Sequence, residues 1–493
     1  MALLMSLIMS SRHPLSIHLL VFRGTMVVQG MPFIPTPAPI SLKVTIVGGG
    51  LSGLAAAYAL RRAGHEVLIL EKSDGSSRSM QSPGGLRSLP NMTKVLMNWG
   101  LEQELSRIAI EHESTNFLCA ETGEKLGVVS AHLEDQIRMD TDLHFTSFLF
   151  AHGDVHNLLY DIAKREGVIF QFNATVVGAD PGSGVVLLDN GEAIEADLIV
   201  GADGCHSTLR QYIESPEEKM SNNVENMLIL SFTGTICPVD MKDDLQILER
   251  QADLNFCFGN RFFVSVHFHS KPEAPHYSVV LHHPYNEDDI PIRYQDWGPL
   301  KDVADFDFDF DQLAPWLRKL ISRADQIWGR IASIKPTPHC FDNSRLVLVG
   351  EAIHTMSPGS ASTPAMSLED AQTLGCLFSV IENKNQIHRL LTAFDEIRLP
   401  RAAFAHYKDT IHTELAMLAA GPHRDMRDEF LIKSLEQNLK SEDEEMLEFY
   451  EEDIRMYAYD PGEETVSWWS RYGAMILDST ERKFLEVRVH VTV

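Results

Sequence analysis

The stretch KVTIVGGGLSGLAAAYALRRAGHEVLILE, residues 43–71, decides the fold. Val44 to Val47 form a short, largely β-branched run, the pattern of a buried strand. Gly48, Gly50 and Gly53 follow it, and a helical pattern runs from Leu51 to about Ala63, where Gly64 ends it. A second apolar run, Glu66 to Leu70, closes on Glu71. Strand, glycine turn, helix and strand in that order make a dinucleotide-binding unit. Gly48 permits the tight turn, Gly50 lets a pyrophosphate approach the backbone, and Gly53 lets helix and strand pack closely. The free N–H groups and positive dipole end of the helix then meet the phosphates. Glu71 stands where a carboxylate accepts hydrogen bonds from a ribose diol, with Ser52 and Lys72 beside the same site. A carboxylate there suits an unphosphorylated ribose, hence FAD or NAD rather than NADP.

The rest of the chain narrows the class. Its 493 residues suffice for two or three domains with real cores, and 44% hydrophobic with 23% charged residues is ordinary globular composition. Forty-two basic against 69 acidic residues leave a net charge of −27, which repels nucleic acid and anionic membranes and points to a small-molecule partner. Cys119, Cys205, Cys237, Cys257, Cys340 and Cys376 lie far apart, without metal-ligand spacing. Free thiols in a reducing, cytoplasmic compartment are expected, and no metal. Residues 1–40 read as a disordered leader or an over-extended start. Neither apolar half of MALLMSLIMSSRHPLSIHLLVF reaches the roughly 20 residues of a membrane span, and a targeting segment is the alternative reading.

Two further motifs follow at long range. DLIVGADGCHSTLR (197–210) runs from a strand into Asp203-Gly204, then Ser207 and Arg210, behind a hairpin pattern turning at Asn190-Gly191. GEAIHTMSPGSASTPAMSLEDA (350–371) places a small-residue loop between the strand 346–349 and a helix. Thr363 is read as that helix's N-cap, with Pro364 in the first helical position and the loop's backbone donors facing a cofactor.

Fingerprint, GADGxxSxxR and GE-A-x-H-x-M-x-P…EDA together resemble the single-component (class A) FAD-dependent aromatic monooxygenases, the p-hydroxybenzoate and fungal salicylate hydroxylase type, over residues 42–400. LRSLPNMTKVLMNWGL (86–101) and IRMYAYDPGEE (454–464) are smaller echoes of the same family. The resemblance implies an α/β fold with a Rossmann-like FAD-binding domain, an inserted β-sheet substrate domain and a helical C-terminal section. The expected boundaries are 41–211 and 336–400 for the two parts of the FAD domain, 212–335 for the β-rich domain and 401–493 for the helical section.

By the same resemblance Gly48, Gly50 and Gly53 hold the FAD pyrophosphate and Glu71 the adenosine ribose. Gly84 and Gly85 lie beside the cofactor, and Asp203, Gly204 and Arg210 serve FAD and the passing NADH or NADPH. Glu351 meets the ribityl or pyrophosphate region, and Ala361, Ser362, Thr363 and Pro364 face the flavin ring. Three departures stand out: Glu351 replaces an aspartate, His152 of AHGDVH replaces an arginine that contacts FAD, and Ala361-Ser362-Thr363 replaces Gly-x-Gly.

The implied reaction uses NAD(P)H and O2, activated at C4a of the flavin, to hydroxylate or epoxidise an electron-rich phenolic or aromatic molecule, such as a fungal secondary-metabolite intermediate. A flavin-fold binding protein without turnover is the alternative, and a flavin-dependent halogenase is disfavoured by the missing W-x-W-x-I-P. Phe262, Phe263 and His267, in the aromatic alternating runs of the β-rich domain, are the candidate pocket residues. No catalytic base is assigned. His267 and His269 share a strand face without a third metal ligand, and SEDEEMLEFYEED (441–453) reads as a solvated helix face.

Overall fold

The computed structural model describes residues 37–75, 84–130, 146–213, 225–235, 253–268, 276–284, 298–299, 308–334, 339–341, 345–356, 359–436, 452–453 and 455–473. His269, residues 1–36 of the leader and most of the acidic run 441–453 lie outside them.

A five-stranded parallel sheet carries the nucleotide-binding unit. Its strands run in the order Leu346–Leu348, Leu198–Gly201, Lys43–Val47, Glu66–Glu71, Ile169–Phe172. The first helix, α1 (Leu51–Arg62), starts directly behind the glycine turn, and Gly64, at φ +97°, reverses the chain after it. The hairpin expected around Asn190-Gly191 is present, as Val185–Leu188 paired antiparallel with Ala193–Glu195. Helices α2 (Pro90–Asn98), α3 (His152–Arg165) and α4 (Ser362–Phe378) complete this layer. Helices α1 and α4 run side by side. Ser52 Oγ lies 2.8 Å from Ser367 Oγ, and a Cβ on Gly375 would lie 2.9 Å from that of Ala59. Only small residues permit so close a crossing, and it brings both helix starts to one edge of the sheet.

The second sheet has eight strands, in the order Gly298–Pro299, Gln326–Ile334, Glu225–Thr235, His276–Pro284, Phe263–Phe268, Asp253–Phe258, Ser114–Cys119, Lys125–Ser130. Ser114–Cys119 joins in parallel, so this sheet draws two strands from 114–130 as well as those from 225–334. Alternation along the strands separates its faces. Leu230, Phe232, Val264, Val266, Val279 and Leu281 bury the rear face under Trp316 and Leu317. Ser231, Ser265, His267, Ser278, Val280 and His282 fall on the front face, toward the first layer.

Helix α5 (Ile387–Ala416) spans both layers and takes Pro400 within its length. Helix α6 (Pro422–Glu436) follows, and α7 (Pro461–Tyr472) is capped by Asp460, which accepts from the N–H groups of Gly462 at 2.8 Å and Glu463 at 3.0 Å. The end of the acidic run does more than solvate a helix: Lys408, only 2% exposed, pairs with Asp453 at 2.8 Å and Glu452 at 3.2 Å.

His65 shows how tightly the first layer is specified. Its Nδ1 accepts from Leu42 N–H at 3.3 Å and its Nε2 donates to Phe378 O at 3.1 Å, which fixes one neutral tautomer. Burial, only partly offset by the Phe378 carbonyl, pushes its pKa down to about 4. A depressed histidine pKa stabilises the fold above the ordinary value of about 6.5, and that stability is lost as pH falls toward the folded value. We therefore expect His65 to cost about 1.4 kcal/mol per pH unit between pH 6 and pH 4. In urea titrations, His65→Gln should lower stability at pH 8 and flatten the slope below pH 6 by about one proton. An unchanged slope would contradict the assignment.

Candidate functional site

The glycine turn has the geometry a dinucleotide requires. Gly48 sits at φ +106°, where a Cβ would fall 2.3 Å from the Ala202 carbonyl oxygen. A Cβ on Gly53 would meet the Gly48 oxygen at 2.0 Å. Gly50 differs: a Cβ there would meet nothing within 4 Å. The first two glycines are demanded by the chain itself, whereas Gly50 borders open space at the start of α1. Gly204, at φ +82°, borders open space likewise. Glu71 receives Gly49 N–H at 2.7 Å on one oxygen and Ser73 N–H at 2.8 Å on the other, so the carboxylate is already oriented.

Other expected residues turn out to bind the loops to one another. Asp203 accepts from Ser207 Oγ at 2.6 Å and Thr208 N–H at 2.7 Å, which caps its own turn. Arg210 reaches across to donate to the carbonyls of Glu351 at 2.9 Å and Ala352 at 2.8 Å, and to that of Cys205 at 2.9 Å. The GADG segment and the Gly350 loop thus form one unit. Ser52 Oγ is engaged with Ser367 inside that unit.

The loop before α4 departs from expectation. The helix begins at Ser362 with Ala361 as its cap, so Thr363 is not the cap residue and Pro364 is third rather than first. Pro364 is still tolerated, because the first N–H groups of a helix have no intrahelical partner. The N–H groups of Ser362 and Thr363 turn back on Ser360, at 3.0 Å to its Oγ and 3.3 Å to its carbonyl, instead of facing outward.

His152 opens α3, and its backbone N–H donates to Gly84 O at 3.0 Å. Burial pushes its pKa down to about 4, with His156 adding to the effect and Glu351 opposing it. It is a neutral imidazole at pH 7, and among the described residues its buried Nδ1 has no hydrogen-bond partner. His156, one turn on, lies 2.9 Å from Gly49 O, so this helix face borders the glycine turn.

Two glycine contacts bracket the front face of the eight-stranded sheet. A Cβ on Gly85 would overlap His267 Nε2, and one on Gly84 would lie 3.1 Å from Ser231 Oγ. At the other end a Cβ on Gly359 would lie 2.7 Å from His282 Cε1. Half-exposed Val280 and Ser265 lie between, and Phe263 and His282 stack at 4.1 Å with 7° between their planes. Phe263 and His267 therefore lie on the front face. Phe262, also a pocket candidate, does not: it is 1% exposed in the rear core, edge-on to Phe308 at 5.1 Å, with its ring packed on Gly259 behind the sheet. His282 was not among the residues singled out from sequence. Alternation in HYSVVLHHP marks the strand, but not which of His282 and His283 faces inward. Burial pushes the pKa of His282 down to about 3, so it too is neutral at pH 7.

Residues 41–251 match the FAD binding domain family. The chain is 28% identical over 388 residues to hispidin-3-hydroxylase of Neonothopanus nambi, covering 74% of this chain and 86% of that protein. It is 26% identical over 378 residues to the FAD-dependent monooxygenase cfoG of Aspergillus candidus, covering 73% and 83%. Residues 41–251 thus carry an FAD binding domain, and over about three quarters of its length the chain is similar to FAD-dependent monooxygenases and hydroxylases. In fold it matches 2,6-dihydroxypyridine-3-hydroxylase from Arthrobacter nicotinovorans at a TM-score of 0.62 and 19% identity, over 78% of this chain and 96% of that one. Its cofactor is FAD, and the open cradle at Gly50 and the unpartnered Nδ1 of His152 fit a bound dinucleotide. Among the described residues there is no group of metal ligands, the five cysteines are free thiols, and no helix is long and apolar enough to cross a membrane.

The glycines separate binding from folding. Gly50→Ala should keep stability within about 1 kcal/mol, the scale of an N-cap change, yet weaken FAD at least about tenfold, or ~1.4 kcal/mol. Gly53→Ala should fail to fold at all. Flavin fluorescence titration and thermal melts check both. Equal FAD affinity in Gly50→Ala would remove the pyrophosphate from this turn.

Proposed function

We propose that this FAD-dependent monooxygenase uses NADH or NADPH and O2 to hydroxylate, or epoxidise, an electron-rich phenolic or aromatic small molecule, with a secondary-metabolite intermediate as the substrate type. The observation that carries this reading is the front face between Gly85 and Gly359, where aromatic, hydroxyl and imidazole side chains lie directly against the two cofactor-side loops. FAD supplies the activation of O2 once reduced by the nicotinamide. The chain supplies position, dryness and proton handling.

In this reading Glu71 holds the adenosine ribose, the turn at Gly50 and the start of α1 face the pyrophosphate, and His152 contacts the cofactor as a neutral donor or acceptor. Arg210 holds the Gly350 loop so that α4 presents its positive end to the ring. Phe263 and Val280 offer an aromatic ring a flat apolar floor. Neutral His282 and the Ser278 hydroxyl can accept a hydrogen bond from a ring hydroxyl and so orient it. Five free thiols suit a reducing compartment such as the cytoplasm.

Purified protein should be yellow. A phenolic substrate should raise its NAD(P)H oxidation several-fold, with one atom of labelled O2 recovered in the product. His282→Ala should lower kcat more than it lowers FAD affinity. Absence of flavin, or oxidation that no phenol in a broad panel stimulates, would favour a binding protein without turnover.

A further inference from the structure

A transverse row of residues crosses the front face of the eight-stranded sheet. Strand pairing sets Ser231 beside Val280, Val280 beside Ser265, Ser265 beside Phe256, Phe256 beside Phe117 and Phe117 beside Gly127. Residues paired in register share a face, so the row runs over six neighbouring strands. Val280, Ser265, Phe256 and Phe117 are partly exposed, whereas on the strands of the first three the front-face residues to either side are buried. Exposure on this part of the sheet thus follows a lane across the strands.

The lane is walled. A Cβ on Gly84 would lie 3.1 Å from Ser231 Oγ, so the cofactor-side loop closes the near end. Gly85 against His267 lines one flank. Gly359 against His282 and Ala416 of α5 against Phe263 line the other, where the Arg427 guanidinium also lies 4.4 Å from the Phe258 ring. A Cβ on Gly127 would lie 3.1 Å from Leu431 Cβ, so α6 closes the far end. With strands about 4.8 Å apart, the exposed part from Val280 to Phe117 extends about 14 Å. One benzene ring cannot fill that length.

The two ends differ in chemistry. At the near end Ser231 Oγ is buried and has no hydrogen-bond partner among the described residues, and Ser265 adds a second hydroxyl. At the far end the Phe256 and Phe117 rings lie 6.3 Å apart with 16° between their planes, and Met417 and Leu431 pack against the same cluster.

We propose that this lane is an extended substrate site, and that the enzyme takes a long, flat molecule. Its hydroxylated ring lies over Val280 and Ser265, joined in line to a second, apolar ring against Phe256 and Phe117. This rests on the reading of the front face as the substrate site. A ring stacked on an aromatic surface gains more than its buried area alone supplies. Ser231 gives the near ring's oxygen a hydrogen bond that this buried hydroxyl otherwise lacks. A bent molecule of the same composition would meet the flanks at Gly85 or Ala416 before both its rings reached the floor.

The test uses FAD-loaded protein and follows perturbation of the flavin spectrum. Three probes share one dihydroxylated ring: 5-methylresorcinol, trans-3,5-dihydroxystilbene and its cis isomer. The trans compound should bind at least about tenfold tighter than the methyl compound, and at least about tenfold tighter than the bent isomer made of the same atoms. Phe117→Leu keeps apolar bulk and removes the ring, so it should cut the trans-to-methyl affinity ratio at least about threefold and leave FAD affinity as in the parent. If Phe117→Leu does not fold, the comparison of trans with cis decides alone. Equal binding of trans and methyl compounds, equal binding of trans and cis, an unchanged ratio in folded Phe117→Leu, or no binding of any probe to FAD-loaded protein would each overturn the proposal. Failure of FAD to bind, or to be reduced by NAD(P)H, would instead count against the monooxygenase reading and is scored separately.

Discussion

One buried charge cluster holds the cofactor side of this protein together. Glu369 and Asp370, adjacent in α4, and Arg398 of α5 are completely excluded from water. Arg401 forks onto Glu369 at 2.8 and 3.0 Å, and Arg398 bridges Glu369 at 2.8 Å and Asp370 at 2.7 Å. Burial alone would raise both carboxyls, but Arg401 and Arg398 hold Glu369, and His354 and Arg398 hold Asp370, below the usual carboxylate range. Two cations balance two anions with nearly every donor used, the condition under which a buried ion cluster is tolerated. Such a cluster is weak as a source of net stability and strong as a fixer of geometry, because removing one member strands the others.

Its reach explains the arrangement around it. Asn91 of α2 donates to Glu369 at 2.6 Å, so the segment after Gly85 is tied in. Gly350 N–H donates to Asp370 at 2.9 Å, which sets the loop that Arg210 grips from the other side. The C-terminal segment closes the cluster: Met456 O accepts from Arg401 at 2.8 Å, and the Tyr459 ring lies 4.3 Å from that guanidinium. Lys94 pairs with Asp460 at 3.0 Å, carrying the same link back to α2. Elements distant in sequence are thereby locked around the start of α4, where the flavin ring is expected.

How much of this could be read from sequence depended on how local the cause was. The Gly48 turn, α1 and both flanking strands were legible because strand period, helix period and glycine sterics act within thirty residues and agree. Glu71 was legible as a carboxylate at a strand end. The Glu369-Asp370 pair was visible as a motif, but not its partners: Asn91 is 278 residues away from Glu369, and nothing in either stretch announces the other. The loop at 359–364 was misread because local capping rules favour Thr363, whereas Ser360 satisfies the first N–H groups from outside the helix. Phe262 and His282 were lost to a turn and a register, since a single residue of shift exchanges the faces of a strand.

If the cluster positions the flavin-facing helix, neutralising one member should uncouple cofactor retention from secondary structure. Asp370→Asn keeps the shape and removes one charge, leaving Arg398 with Glu369 alone. The most direct measurement is the FAD dissociation constant of this variant beside its far-ultraviolet circular dichroism and thermal midpoint. The account predicts native-like helix and strand content, a destabilisation of about 3 kcal/mol, within the range for breaking a buried pair, and FAD affinity reduced by at least about tenfold. Unchanged FAD affinity in a stable Asp370→Asn protein would show that the cluster does not set the cofactor site.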